Sequence, residues 1–436
     1  MEHWVLGLFS IFVLLVLVIL RIHVALALAL IGFIGQWLVI GRFESALNVL
    51  VTTPYWTVAK YTLIVMPMFI LMGVFAGHAG FAQDAYDALQ KWLGRLPGGL
   101  ALATIAANAV FGAASGSSAA ACAVFTQFSF PQMKKYKYDP GFACASIAAA
   151  GVLAMLIPPS VLMIVFGMIT QTSVGRLFIG GFVPGILLTI LYMIGIIVWL
   201  RFRPALAPLA PPGESWKNRF AALPQIWGLV FIAIFVLGGI YGGVFTPEEA
   251  GGAGAFLVFV LGIAMRRINF KRTLETLRDA ARMSAMVFFV VIGAQIYSKF
   301  ILTSGLPAIV IDKTMASGLP DLAIIGIFIG MYLVLGCFLD SISMMLVTIP
   351  VLYPISQALG WDVVWFGIVS IMAIEAGLLT PPLGIDVYVV KAAVGEEVGL
   401  MEIFKKVVPL FFIVLVAITI VVLFPSLATW LPGLMM

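Results

Sequence analysis

The sequence predicts an all-α polytopic membrane protein, and three observations carry that prediction. Of the 436 residues, 63% are hydrophobic and 10% are charged, against roughly 45 to 50% and 25% in an ordinary soluble domain. The charges fall in islands between long apolar runs: Trp4 to Leu20, Val24 to Gly41, Leu177 to Leu200 and Val407 to Met436 hold none. A helix crosses a bilayer with roughly 20 apolar residues, and the stretches between runs are too short to fold as a separate catalytic or nucleotide-binding domain. A soluble enzyme is thereby excluded. The net charge of +5 resides in loops beside the runs, where it reads as a topology signal and not as a nucleic-acid surface.

Taken in order, the first run is expected to be a retained helix, because Met1-Glu2-His3 lacks the basic n-region and cleavage site of a signal peptide. Residues 1–80 are read as scaffold helices. Phe81 to Leu96 sets Asp84, Asp87, Lys91 and Arg95 against Tyr86, Leu89 and Trp92, the pattern of an amphipathic surface helix. Pro97 to Met133 carries no charge; as one helix it would be about 55 Å long, against a hydrocarbon core of about 30 Å. Both its flanks are basic (Lys91 and Arg95; Lys134, Lys135 and Lys137), and Gly112-Ala-Ala-Ser115-Gly116-Ser117-Ser118 breaks its middle. It should enter from the cytoplasm, turn and return, a re-entrant hairpin over 97–133.

The basic loops Arg201 to Arg219 and Arg266 to Arg282 flank a helix pair whose intervening turn, Thr246 to Glu249, has no Lys or Arg. That places both loops in the cytoplasm and both chain termini on the other side. Residues 201–282 are read as linker and scaffold pair, the linker being Pro204 to Pro224 with Pro208, Pro211, Pro212 and Gly213. Leu322 to Gly360 then repeats the hairpin pattern over 322–360, with Asp340 near its middle and acidic flanks, so it should enter from the opposite face. Each hairpin precedes an apolar segment broken by a double proline, Pro158-Pro159 and Pro381-Pro382, 223 residues apart. The polar tips, Ser115 to Ser118 and Asp340 to Ser343, are 225 apart, and Val174-Gly175 matches Val398-Gly399 at 224. One register through several anchors predicts two inverted repeats, 81–200 and 283–436.

A broken span exposes carbonyls at one half-helix end and amides at the other, so the two tips and two breaks supply cation ligands together with an anion-favouring field. The hydroxyls of Ser115, Ser117, Ser118, Ser341, Ser343 and Thr380 add neutral oxygens suited to a hard ion such as sodium. One tip plus one break per repeat gives two cation sites. A carboxylate at Asp340 costs roughly 2.5 to 3.5 kcal/mol at mid-membrane; it either ligates a cation or caps the tip. Glu375 and Asp386 bracket the second break, and the spacing suggests that Asp386 pairs with Lys391. Cys122, Cys144 and Cys337 read as inert packing residues, and His3, His23 and His78 show no metal-ligand spacing. An intramembrane serine peptidase using Ser115 or Ser117 would need a late histidine, and none follows His78; there is no phosphate-binding loop either.

Four motifs in order, Asn108…Phe111-Gly-Ala-Ala-Ser-Gly-Ser-Ser118, Ile157-Pro-Pro-Ser160…Val174-Gly-Arg-Leu-Phe178, Gly242-Gly-Val-Phe-Thr-Pro-Glu-Glu249 and Glu375-Ala-Gly-Leu-Leu-Thr-Pro-Pro-Leu-Gly384, resemble the large membrane subunit of tripartite ATP-independent periplasmic (TRAP) transporters. The resemblance implies an elevator-type transporter of a bacterial inner membrane and sodium-coupled uptake of an organic anion, mostly carboxylates. It also implies two partners, a periplasmic substrate-binding protein and a small four-helix membrane subunit, and no organic cofactor. Carried over by motif, sodium site 1 takes Ser115 and Ser118 with backbone of Ile157, Pro158 and Pro159. Sodium site 2 takes Gly336 and Asp340 with backbone of Gly377, Thr380 and Leu383, and the substrate lies near Asn108, Ser117, Ser160, Ser341, Ser343 and Asp386. The chain departs from the family pattern at Ala373 and Asp386, where amide side chains are common, and neither hairpin holds an arginine, which leaves Arg176 and Lys391 as the nearest basic residues. A stand-alone divalent-anion/sodium symporter of related architecture is the alternative reading.

Overall fold

The computed structural model describes residues 3–208, 215–382 and 384–434, and these are helical with no strand among them. The helices are α1 (His3–Ile19), α2 (Val24–Ile40), α3 (Phe43–Val58), α4 (Val65–His78, entered through a 3-10 turn at Tyr61–Ile64), α5 (Phe81–Leu93), α6 (Gly99–Ser115) and α7 (Ser118–Lys135). Then come α8 (Pro140–Leu156), α9 (Val161–Thr170), α10 (Val174–Phe202), α11 (Trp216–Ala222), α12 (Trp227–Tyr241), α13 (Pro247–Ala264) and α14 (Phe270–Thr303). The rest are α15 (Leu306–Ala316), α16 (Asp321–Gly336), α17 (Ser341–Ala358), α18 (Val363–Gly377), α19 (Ile385–Val394), α20 (Leu400–Leu423) and α21 (Ser426–Leu434). Among the described residues seven helical segments are long and apolar enough to cross a membrane, or eight if α8 and α9, bent by 41° at their break, make one span. The chain is a multi-pass membrane protein.

The long uncharged stretches divide where the polar clusters stand. Residues 97–133 become α6 and α7, joined by Gly116 and Ser117 and packed on one another; residues 322–360 become α16 and α17, joined by residues 337–340. The starts of α7 and α17 (Ser118, Ser341) and of α8 and α18 (Pro140, Val363) are each 223 positions apart. The tips obey the same offset: Ser117 and Asp340 each N-cap the returning helix, so the 225-residue register expected for the tips is corrected to 223. The final apolar run is two helices and not one, because Pro425 forces Phe424 out of the helical region (φ −124°, ψ 75°) and ends α20. Pro211, Pro212 and Gly213 of the expected linker lie outside the described residues.

At the centre stand α8 and α18. Every residue of α8 from Gly141 onward, and every residue of α18 from Val364 onward, is buried, as befits helices apolar all round. The hairpins cross over between halves: α7 packs on α19 as well as on α8, and α17 packs on α9 as well as on α18. Along the outside, the 34-residue α14 runs parallel to α2, with His23 facing Phe289 (ring centroids 5.7 Å) and Gln36 donating to Thr303 at 3.4 Å. It runs antiparallel to α4, whose last residue His78 bonds Thr276 at 2.7 Å.

The segment after α4 is amphipathic as expected. Phe81, Ala82, Ala85, Tyr86 and Ala88 of α5 are buried against α6, while Asp84 pairs with Arg267 and Trp92 Nε1 donates to the Arg219 carbonyl at 2.9 Å.

Candidate functional site

At the first tip, α6 ends on Gly116, which takes φ +60° in the left-handed region where a side chain is strained. Ser117 is extended and its Oγ accepts from Ala120 N at 3.4 Å, capping α7. The first break docks directly onto this turn. Pro158 and Pro159 lack N–H groups, so α8 stops; Ser160 caps α9 through Met163 N (3.4 Å), and Val161 N donates to the Gly116 carbonyl at 3.4 Å. Two helix C-termini and two N-termini therefore meet at one junction. Ser115 Oγ is buried there with no hydrogen-bond partner among the described residues; two turns back on α6 the same holds of the Asn108 side-chain oxygen, whose amide nitrogen donates to Thr104 O at 3.2 Å.

The second junction has the same parts and a different fastening. A Cβ on Gly336 would lie 2.5 Å from Gly377 Cα, so α16 and α18 touch backbone to backbone at their C-terminal ends. Asp340 caps α17: its carboxylate accepts from Ser343 N at 3.1 Å and from the Ser343 hydroxyl. Thr380 Oγ1 donates to Gly377 O at 2.6 Å and lies 3.4 Å from Cys337 Sγ, which reaches Pro381 O at 3.1 Å. Cys337 thus ties the tip to the break, where inert packing was expected. Asp340 acts as the tip cap, and Leu383 lies outside the described residues.

Between the halves lies a pair of acids. Glu375 on α18 and Asp386 on α19 are both 0% exposed, and none of their four carboxylate oxygens has a hydrogen-bond partner among the described residues. Ser118 of the first hairpin lies beside both, Tyr192 of α10 is near enough to interact with both electrostatically, and a side chain at Gly151 would collide with Cys122 Sγ, its Cβ lying 3.7 Å from Asp386 Oδ2. The expected Asp386 to Lys391 ion pair is absent. Five residues along a helix turn through about 500°, so Lys391 points away from Asp386, and its Nζ donates instead to Gly395 O at 2.5 Å.

Of the residues expected for the first sodium site, Ser115, Ile157, Pro158 and Pro159 gather at one junction together with Ser117 and Ser160, which were expected near the substrate, whereas Ser118 turns inward to the acid pair. Gly336, Asp340, Gly377, Thr380, Ser341 and Ser343 gather at the second, with Ser341 and Ser343 buried. A cavity of about 390 Å³ opens at the first tip, lined by Ser115 and Ser117 on the hairpin and by His78, Asp279 and Arg282 across from it. Sequence reasoning missed the last three; no local pattern links α4 and α14 to the tip. His78 is held by Thr276 and stands 3.8 Å from Asp279 Oδ2.

Comparison with known proteins agrees with this architecture. Residues 11–427 match the family described as "Tripartite ATP-independent periplasmic transporter, DctM component". The chain is 31% identical to the C4-dicarboxylate TRAP transporter large permease protein DctM of Pseudomonas aeruginosa, over 86% of this chain and 87% of that one. It is 28% identical to the sialic acid TRAP transporter large permease protein SiaM of Vibrio cholerae, again over 86% and 87%. Among solved structures, the YdaH transporter of Alcanivorax borkumensis superposes with a TM-score of 0.55 at 16% identity, covering 88% of this chain and 89% of that one, a likeness of fold.

Proposed function

The chain belongs to the DctM component of the tripartite ATP-independent periplasmic transporters, the large permease through which substrate is imported, and we propose that it couples import of an organic carboxylate to sodium by an elevator motion. The observation that supports this reading is the pair of tip and break junctions, each assembled from two helix C-termini and two N-termini with hydroxyls between them. At the first, the unpartnered Ser115 Oγ and the carbonyls freed by Pro158 and Pro159 fit a sodium ion; at the second, Gly336, Asp340, Gly377 and Thr380 would hold one. Bound sodium supplies positive charge beside the substrate anion. The chain's own part is to present the N-termini of α7, α9, α17 and α19 to that anion, with Asn108, Ser117, Ser160, Ser341 and Ser343 around it. Crossed packing of α7 on α19 and α17 on α9 makes the two hairpins one body, as a moving carrier requires.

In this proposal a periplasmic binding protein delivers the substrate, a small four-helix subunit enlarges the scaffold, and the assembly resides in a bacterial inner membrane with both termini of this chain periplasmic. The test is uptake of a labelled carboxylate panel into proteoliposomes holding this chain, its small subunit and the cognate binding protein. Uptake needing both an inward sodium gradient and the binding protein is expected. Uptake by this chain alone would favour the stand-alone symporter, and uptake indifferent to sodium would overturn the coupling. The relatives are permeases, and a peptidase role for Ser115 or Ser117 has no support in the hydrogen bonds of His78.

A further inference from the structure

A second cavity, of about 290 Å³, lies at the opposite end of α14 from the one beneath the first tip. One wall belongs to the outer helices: Lys60, just before the 3-10 turn that enters α4, and Gln295 and Ser298 on α14. The other belongs to the hairpin body: Gln171, at the end of α9, and Tyr353 on α17. Lys60 is the single charged residue lining it, and no carboxylate does so among the described residues. Lys60 is exposed and has no ion pair there. Gln171 spends its amide nitrogen on Met168 O at 2.7 Å, and the Tyr353 hydroxyl accepts from Gln357 at 2.9 Å.

This placement is independent of the tips and breaks. Since α14 and α4 are antiparallel, the Lys60 end of α4 and the Leu302 end of α14 share one side, while His78, Asp279 and Arg282 share the other. The basic residues around the start of α14, Arg266 to Arg282, assign that other side to the cytoplasm, so the Lys60 cavity opens toward the periplasm. A lone unpaired ammonium among neutral amide and hydroxyl groups favours an anion and repels cations, and its walls come from both the outer helices and the hairpin body. We propose that this cavity is an entry subsite for the substrate, in which the Lys60 ammonium holds a carboxylate group after delivery and before the anion reaches the tips. The proposal rests on the import of a carboxylate argued above; it adds a residue and a station that the four motifs do not contain.

The test uses the complete three-component system in proteoliposomes, with the panel carboxylate that the wild type takes up. Lys60→Gln is expected to raise the half-saturating concentration of loaded binding protein about tenfold, with the maximal rate kept within about twofold. Lys60→Arg should stay near the wild type, and Lys271→Gln, on the cytoplasmic surface, serves as control. Lys60→Cys adds a readout separate from transport. Its thiol should react faster with the anionic sulfonatoethyl methanethiosulfonate than with its trimethylammonium counterpart, the carboxylate should slow that reaction, and aminoethylation, which restores the charge, should restore the lost affinity. Unchanged half-saturation in Lys60→Gln, or faster reaction of the cysteine with the cationic reagent, overturns the subsite and leaves sodium-coupled import standing. Wild-type uptake of no carboxylate would instead remove the reading on which the subsite depends.

Discussion

The first hairpin turns on two residues, Gly116 and Ser117, and hands its carbonyl to the amide of Val161; the second turns over residues 337 to 340 and fastens to its break through the side chains of Cys337 and Thr380. The caps differ in the same sense, a neutral Ser117 at one tip and Asp340 223 positions later at the other. So do the breaks. Glu375 and Asp386 have Val152 and Met163 at the corresponding positions of the first half. One backbone plan has thus been kept while formal charge has been concentrated in the second half. The first junction is fastened by a main-chain hydrogen bond and neutral hydroxyls, and the second by the backbone contact of Gly336 with Gly377 together with the side chains of Cys337, Asp340 and Thr380.

The sharpest way to break this comparison is at the backbone contact. Gly336→Leu would drive a side chain into Gly377 Cα, and the overpacking, about 3 kcal/mol, is expected to abolish most folded protein. Gly116→Ala adds to the left-handed strain of about 1 to 2 kcal/mol a methyl group 3.0 Å from the Pro159 carbonyl oxygen, a looser contact than the one Gly336→Leu forces, and should leave a folded protein with a lower thermal midpoint. Equal losses in the two variants, read by monodisperse yield and thermal midpoint in detergent, would refute the contrast. Next in size is Asp340→Asn. Asparagine caps as well as aspartate, so the midpoint should barely move, while the half-activating sodium concentration rises about tenfold, the equivalent of about 1.4 kcal/mol. Unaltered sodium dependence would leave Asp340 a cap only.

Smaller again is Ser117→Ala. Removing this cap should cost about 1 kcal/mol, seen as a modest drop in midpoint with sodium affinity kept within about twofold; a sodium effect as large as that of Asp340→Asn would make the tips chemically equivalent. The smallest shift is expected for Asp386→Asn, in which a neutral isostere replaces one of two adjacent carboxyls beside Ser118 that have no ion-pair partner among the described residues. No counter-charge is removed, so the midpoint should hold or rise. A clear fall would mean that the Asp386 carboxylate makes an interaction that an amide cannot replace.

Much of this was legible from the chain itself, because hydropathy and proline chemistry are local. The uncharged stretch 97–133 is too long for one span, and the tip composition marks where it must turn; the structure turns it at Gly116. Pro158-Pro159 and Pro381-Pro382 have to end a helix wherever they stand, since neither can donate to the carbonyl a turn before it. The offset of the double prolines follows from the same residues; at the tips, matching serine composition gives 225, whereas the capping roles of Ser117 and Asp340 give 223.

What the sequence by itself determined is therefore the membrane class, the two tips and the two breaks, all consequences of groups acting within a few residues of one another. Tertiary structure alone decided which partners those groups meet. It turned Ser118 to Glu375 and Asp386, left Lys391 on the far side of its helix, and placed Lys60 beside Gln171 and Gln295. The physical reason is the crossing of α7 onto α19 and of α17 onto α9: side chains more than 200 positions apart come into contact only when those surfaces close, and no periodicity along the chain encodes which face of a buried helix its neighbour will take.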